Sequence, residues 1–117
     1  MPVDAEDLRR VYLALPGVEE STHHGTMSFV VRKTFLGRLR DDDTVFAMRI
    51  SMDERDFLIE IEPEVFFTTD HYRGYGYVLV RLAATTIERL APLIERSWRG
   101  AAPKRLVAAL DDLRRPT

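Results

Sequence analysis

The sequence predicts an α+β fold, an antiparallel β-sheet backed on one side by helices, in the order α-β-β-β-α-β-β-α-α. Three observations predict it. Apolar residues recur at helical spacing near both ends of the chain. Short stretches alternating apolar with polar or small residues gather in its middle, and turn or capping residues separate one element from the next. The 117 residues suffice for one core and are too few for two, so a single domain is expected over 1–117.

The first helix is read from Leu8, Val11, Tyr12 and Leu15, with Asp4 as N-cap and Pro16-Gly17 as the stop. Residues 19–26 read as a polar loop. Residues 27–32, 34–40 and 44–50 then form an antiparallel meander, and Asp41-Asp42-Asp43 turns the chain between the second and third stretches. Ser51 and Glu54 have capping-box spacing and open a helix that carries Phe57, Leu58 and Ile61 inward before Pro63. A short strand is expected over 65–68. Residues 77–82, apolar on both faces, read as a strand inside the sheet. Thr85 and Glu88 repeat the capping-box pattern before a stripe of Ile87, Leu90, Ala91, Ile94 and Trp98, which Pro92 is expected to kink or restart. Pro103 suits the first turn of a last helix, with Leu106, Val107, Leu110 and Leu113 as its buried face.

Composition narrows the chemistry. The chain has no cysteine, which removes disulfides, thiolate nucleophiles, iron–sulfur clusters and Cys-based zinc sites together. The acidic start, 1–7, has no apolar stretch behind it, so no secretory leader is expected. Residues 77–80 are among the longest apolar runs, against the roughly 18 residues of a membrane span. A cytoplasmic protein without membrane contact is expected. Net charge is −2, below the basic balance of a dedicated nucleic-acid module. That sum hides an asymmetry, because residues 1–80 carry −6 and residues 81–117 carry +4. The basic residues are fifteen Arg and two Lys, a preference that reads first as codon bias.

Strand parity supplies the main candidate surface. With Met27, Phe29 and Val31, Phe35 and Leu39, and Phe46, Met48 and Ile50 facing the core, Arg32, Arg38, Arg40 and Arg49 point away, and Arg81 shares a face with Tyr77 and Leu79. Arginine forks phosphate and guanine edges and stacks on bases, so such a face suits nucleic acid; the bland alternative is a solvated face balanced by nearby carboxylates. A second basic candidate is Arg99, Lys104 and Arg105, with Arg96, near the amino end of the last helix, where anions are favoured. Phe66, Phe67, Tyr72, Tyr75 and Tyr77, interleaved with His71 and Arg73, offer either stacking rings or ordinary packing.

Enzymatic chemistry is not expected. Adjacent His23 and His24 diverge in either a strand or a helix and make a poor chelating pair. Ser21 lacks a nucleophile elbow, and Gly74-Tyr75-Gly76 lacks the third glycine and following helix of a phosphate loop. No catalytic residue, metal or cofactor is assigned.

Three segments carry a family resemblance: Ala14-Leu15-Pro16-Gly17-Val18-Glu19-Glu20-Ser21; Glu62-Pro63-Glu64-Val65-Phe66-Phe67-Thr68-Thr69-Asp70-His71-Tyr72; and Trp98 followed by Ala102-Pro103-Lys104-Arg105-Leu106. With Gly74 and the 77–82 strand, they resemble the MmcQ/YjbR family of small bacterial proteins over nearly the whole chain. His23-His24-Gly25 stands where the family often has an aromatic residue and Gly, and Arg32-Lys33 replaces a usual Gly-Lys turn. The resemblance implies a YjbR-like fold and a non-enzymatic DNA-binding role with double-stranded DNA as partner, a label resting on structural similarity to a phage transcription factor domain. The competing expectation is a small-ligand or protein-partner module using an aromatic groove of His71, Tyr72, Arg73 and Trp98.

Overall fold

Asp4 caps the first helix as its spacing predicts: its carboxylate accepts the Asp7 amide at 2.8 Å while Asp7 accepts the Asp4 amide at 3.1 Å. The computed structural model describes residues 2–23, 25–40 and 42–116. Helix α1 (Ala5–Leu13) leads into six strands, β1 (Val18–His23), β2 (Thr26–Val31), β3 (Thr34–Arg40), β4 (Val45–Arg49), β5 (Phe66–Phe67) and β6 (Tyr77–Arg81), with α2 (Met52–Ile61) between β4 and β5. One 3-10 turn (Leu82–Ala84) then precedes α3 (Ile87–Ala101) and α4 (Lys104–Arg114). The strands form one antiparallel sheet in the order β1-β2-β3-β4-β6-β5, which makes this a mixed α+β fold. Strand β6 is paired on both sides, which accounts for its apolar character on both faces.

One sheet face carries the core. Phe29, Val31, Leu39, Phe46, Met48, Val78 and Val80 meet Leu8, Tyr12, Leu58, Ile94, Trp98 and Leu110 from the four helices in one cluster. The Tyr12 ring stacks on Phe29 with centroids 4.3 Å apart. The opposite face carries no helix.

Several expectations are corrected. Residues 18–23 are not loop but the edge strand β1, antiparallel to β2. Its polar sequence hid the alternation, and an edge strand tolerates such a sequence because only one of its sides is paired. The observed order therefore has four strands before α2. Helix α3 runs unbroken through Pro92 and does not restart there; Pro92 lies on the exposed side near the helix start, one turn after exposed Glu88. Its N-cap is Thr86, not Thr85. Helix α2 buries Arg55 and Leu58 while Phe57 and Ile61 stand exposed, and Leu113 of α4 is 80% exposed. His24 and Asp41, from the expected histidine pair and aspartate turn, lie outside the described residues. Asp42 and Asp43 both take positive φ, 55° and 65°, as a tight turn requires.

The parity of β3 is also corrected. The β2–β3 register shifts between Phe29 and Val30, so Phe29 faces Gly37 while Val30 faces Phe35, and Leu36 is the extra residue of a bulge. Leu36 is consequently fully buried in the core and Phe35 turns to the other face, where its ring meets Tyr77 edge-on at 5.9 Å. Beyond the bulge the parity of Arg38, Leu39 and Arg40 is as predicted.

Candidate nucleic-acid interface

The helix-free face can be read rank by rank from the register. Arg38 on β3 lies beside Ala47 on β4, Leu79 on β6 and Phe67 on β5. In the next rank Arg40 and Arg81 flank Val45, and on the other side Arg49 pairs with Tyr77. Val45, Ala47 and Leu79 form a small buried cluster at the centre, with Phe67 and Tyr72 packed against it. Four of the five sheet arginines proposed from sequence are therefore brought together. Arg32 is not among them: with Lys33 it forms the two-residue β2–β3 turn at φ 46° and 70°, at the end of the sheet and off its face.

Rings hold two of these guanidiniums in place. Arg81 stacks on Phe67 at 4.1 Å and donates to the Pro63 carbonyl at 3.1 Å, while Arg40 lies 5.1 Å from the Tyr72 centroid. Arg38 donates to the Thr26 hydroxyl at 3.4 Å. Among the described residues, Arg38, Arg49 and Arg81 have no carboxylate partner.

Tyr72 reaches this face because the 69–76 segment folds over it in successive turns, Tyr72 N to Thr69 O and Tyr75 N to Tyr72 O, each 3.0 Å. Arg55, a residue sequence reasoning missed, clamps that segment. It is buried in α2 and donates to the Arg73 carbonyl at 2.8 Å and the Tyr75 carbonyl at 3.2 Å, with Asp56 as its ion-pair partner. The sequence signal was a charged residue one turn before Leu58 on the inward stripe. Arg55→Ala leaves both carbonyls without their charged donor. It is expected to lower unfolding free energy by about 2 kcal/mol, seen as a shift in urea midpoint, and to raise proteolytic cleavage within 69–76.

Two of the four residues of the carboxy-terminal basic candidate, Arg96 and Arg99, are tied to carboxylates. Arg99 donates to Asp111 at 2.7 Å and Glu95 at 3.0 Å, Arg114 binds Glu95 at 2.8 Å, and Arg96 binds Glu54 at 3.0 Å. Burial works to raise the Glu95 pKa, but the hydrogen bonds from Arg99 and Arg114 outweigh it and hold that carboxyl below the usual range. The hydrogen bond from Arg99 does the same to Asp111. Lys104 and Arg105 are exposed on the first turn of α4.

The expected aromatic groove does not assemble. Trp98 is fully buried in the helix-side core, its indole N–H donating to the Pro16 carbonyl at 3.0 Å, whereas Tyr72 packs on the opposite sheet face. His71 is exposed and meets Tyr72 edge-on at 5.0 Å, and exposed Arg73 pairs with Asp70 at 3.2 Å.

A family model described as YjbR matches residues 13–100, from the end of α1 through nearly all of α3. The chain belongs to the YjbR family. The match takes in all six strands, and with them every arginine of the helix-free face, while Lys104 and Arg105 fall beyond it. The uncharacterized proteins Rv2570 of Mycobacterium tuberculosis and Mb2600 of Mycobacterium bovis are each 46% identical to this YjbR chain over 66 residues, 56% of the chain and 51% of the relative. The chain thus spans about half the length of the curated relatives it matches. The crystal structure of Deinococcus radiodurans protein DR2400, with its family-model domain DUF419, superimposes with a TM-score of 0.70 at 20% identity, covering 81% of this chain and 75% of that one. At that identity the likeness is one of YjbR fold. Among the described residues, no helix is long and apolar enough to cross a membrane.

Proposed function

We propose that this YjbR protein is a non-enzymatic, cytoplasmic DNA-binding protein that contacts duplex phosphates through the helix-free face of its sheet. The observation that carries the reading is the contrast in pairing: among the described residues, Arg38, Arg49 and Arg81 share that face without carboxylate partners, while Arg9, Arg89, Arg96, Arg99 and Arg114 elsewhere are each tied to a glutamate or aspartate. Local charge, not the net −2, governs what such a face attracts. Two-residue steps along a strand cover about 7 Å and two strand spacings about 10 Å, so the four cations span a few base pairs of duplex at 3.4 Å rise.

The test is duplex-DNA anisotropy across a salt series. Phosphate contacts from Arg38, Arg49 and Arg81 correspond to a slope of about −2.7 in log K against log salt. The double variant Arg38→Ala with Arg49→Ala is expected to flatten that slope by about 1.8 while leaving thermal unfolding in place. Absence of binding at low salt overturns the reading, and an unchanged slope in the double variant removes this face from it.

A further inference from the structure

Helices α2 and α4 each carry unpaired charge at the end where the helix dipole opposes it. Glu60 lies in the last turn of α2, which has no basic residue, and Glu64 follows just beyond the helix. Lys104 and Arg105 open α4, whose first turn has no acid and whose N-cap, Pro103, offers no side-chain acceptor. All four residues are exposed, and none has an ion-pair partner among the described residues. We propose that a second copy of this chain supplies the partners, in a two-fold dimer where α4 of each copy lies antiparallel along α2 of the other. The acidic end of one helix then meets the basic end of its mate.

The apolar pattern fits the same register. On α2, Phe57 and Ile61 are 59% and 48% exposed and stand one turn apart on one flank. On α4, Arg105, Ala109 and Leu113 follow at i, i+4 and i+8, and Leu113 is the most exposed of the large apolar residues described. Setting Leu113 against Phe57 in an antiparallel pair brings the small Ala109 against Ile61 and places Arg105, about 12 Å from Leu113, at Glu60 and Glu64. Phe57 also walls a groove of about 370 Å³ between α2 and α3, lined by Leu58 and Leu93, in which Leu113 has room to seat. Single exposed apolar side chains are ordinary; here three of them share one register with two pairs of opposite charges.

The order of the helices across the sheet lets the contact close. Helix α2 packs on β5 and β6, α3 on β3 and β4, and α4 sets Leu106 against Gly17, just ahead of β1. Helices α2 and α4 therefore lie towards opposite edges of the sheet, with α3 between them. A two-fold axis lying between two facing helix layers, across α3, carries α4 of one copy onto α2 of the other and the reverse, so both contacts form at once. The helix-free faces then point away from each other. On the DNA-binding reading above, which the pairing itself does not require, one dimer holds a duplex on each side.

Sedimentation velocity of the full chain, without DNA, tests the pairing. A dimer with a Kd on the order of 10⁻⁵ M is expected at low salt, weakened roughly tenfold when ionic strength rises about tenfold, because exposed charges are screened. The Glu60→Lys Glu64→Lys variant and the Lys104→Glu Arg105→Glu variant are each expected to stay monomeric at about 200 µM, twentyfold above that Kd. An equimolar mixture of the two is expected to recover the dimer, since both contacts of the mixed pair join opposite charges. Leu113→Asp is also expected to be monomeric. At about 1 µM, where the wild type is itself monomeric, neither charge swap is expected to lower Tm, because each agrees with its helix dipole. Monomeric wild type at about 200 µM overturns the proposal. So does a dimer that persists in either swap or in Leu113→Asp, a mixture that fails to pair, or a mass that climbs beyond two copies. Loss of the dimer in the Arg38→Ala Arg81→Ala variant would put the interface on the sheet face and overturn it as well.

Discussion

Trp98→Ala lowers the unfolding free energy by about 4 kcal/mol, among the largest losses a single substitution here can produce. The indole is fully buried on the core stripe of α3, so its removal forfeits a large apolar transfer term and leaves a cavity that the six-stranded sheet is too rigid to fill. A second loss adds to it. The Trp98 N–H reaches Pro16, 82 residues earlier in the chain, and ties the turn after α1 to α3. Alanine leaves that carbonyl without its donor. Trp98→Phe separates the two contributions, retaining most of the volume and losing the hydrogen bond, with an expected cost of about 1–2 kcal/mol. Trp98 is the sole tryptophan, so urea unfolding is followed by far-UV circular dichroism rather than fluorescence. A tryptophan lining a ligand groove would give the reverse pattern, with small stability loss and lost binding.

That assignment also shows where sequence reasoning reached its limit. The stripe of Ile87, Leu90, Ile94 and Trp98 specifies that Trp98 shares a helix face with core residues, but not which side of the sheet the helix covers. Tyr72 and Trp98 are both aromatic and both motif residues, and only tertiary packing places them on opposite faces. Local signals fared better where one interaction decides the outcome. Asp4 and Ser51 each accept an N3 amide, so their caps were legible from spacing. The meander was legible because residues 27–32, 34–40 and 44–50 alternate apolar with polar or small residues, although β4 is buried on both faces at Val45 to Met48. Strand β1 was not, since Glu19, Glu20, Ser21 and Thr22 gain strand geometry from pairing with β2 rather than from any alternation of their own. On α2 the apolar residues Phe57 and Ile61 drew the inward face toward themselves, whereas the structure buries Arg55, whose burial depends on carbonyls of the 73–75 segment. No pattern in the helix itself encodes that partner. For the arginine face, parity counted from Leu39 gave Arg38 and Arg40 correctly because the bulge lies on the other side of them.

That bulge makes Gly37 the position where fold and face are most tightly joined, and Gly37→Val is expected to cost about 3 kcal/mol or more. With Leu36 as the extra residue, Gly37 falls opposite both Phe29 and Met48 on the core side. The Phe46 ring lies across it: a Cβ at Gly37 would sit 2.6 Å from the ring edge and 2.6 Å from the Ala47 carbonyl. The ring belongs to a fully buried side chain and the carbonyl to the neighbouring strand's backbone, so neither can swing aside as an exposed side chain would. Valine's preference for strands is worth at most about 1 kcal/mol over glycine and does not offset a clash of this kind. Relief requires β3 and β4 to separate at Ala47, the residue whose opposite side supports Arg38 and the centre of the cation face. The variant should therefore lose urea stability and, in the fraction that remains folded, bind duplex DNA more weakly than wild type. Gly37→Ala is expected to show the same direction at about 2 kcal/mol. Unaltered stability in Gly37→Val would mean that the β3 bulge does not hold the register that places Arg38 beside Ala47.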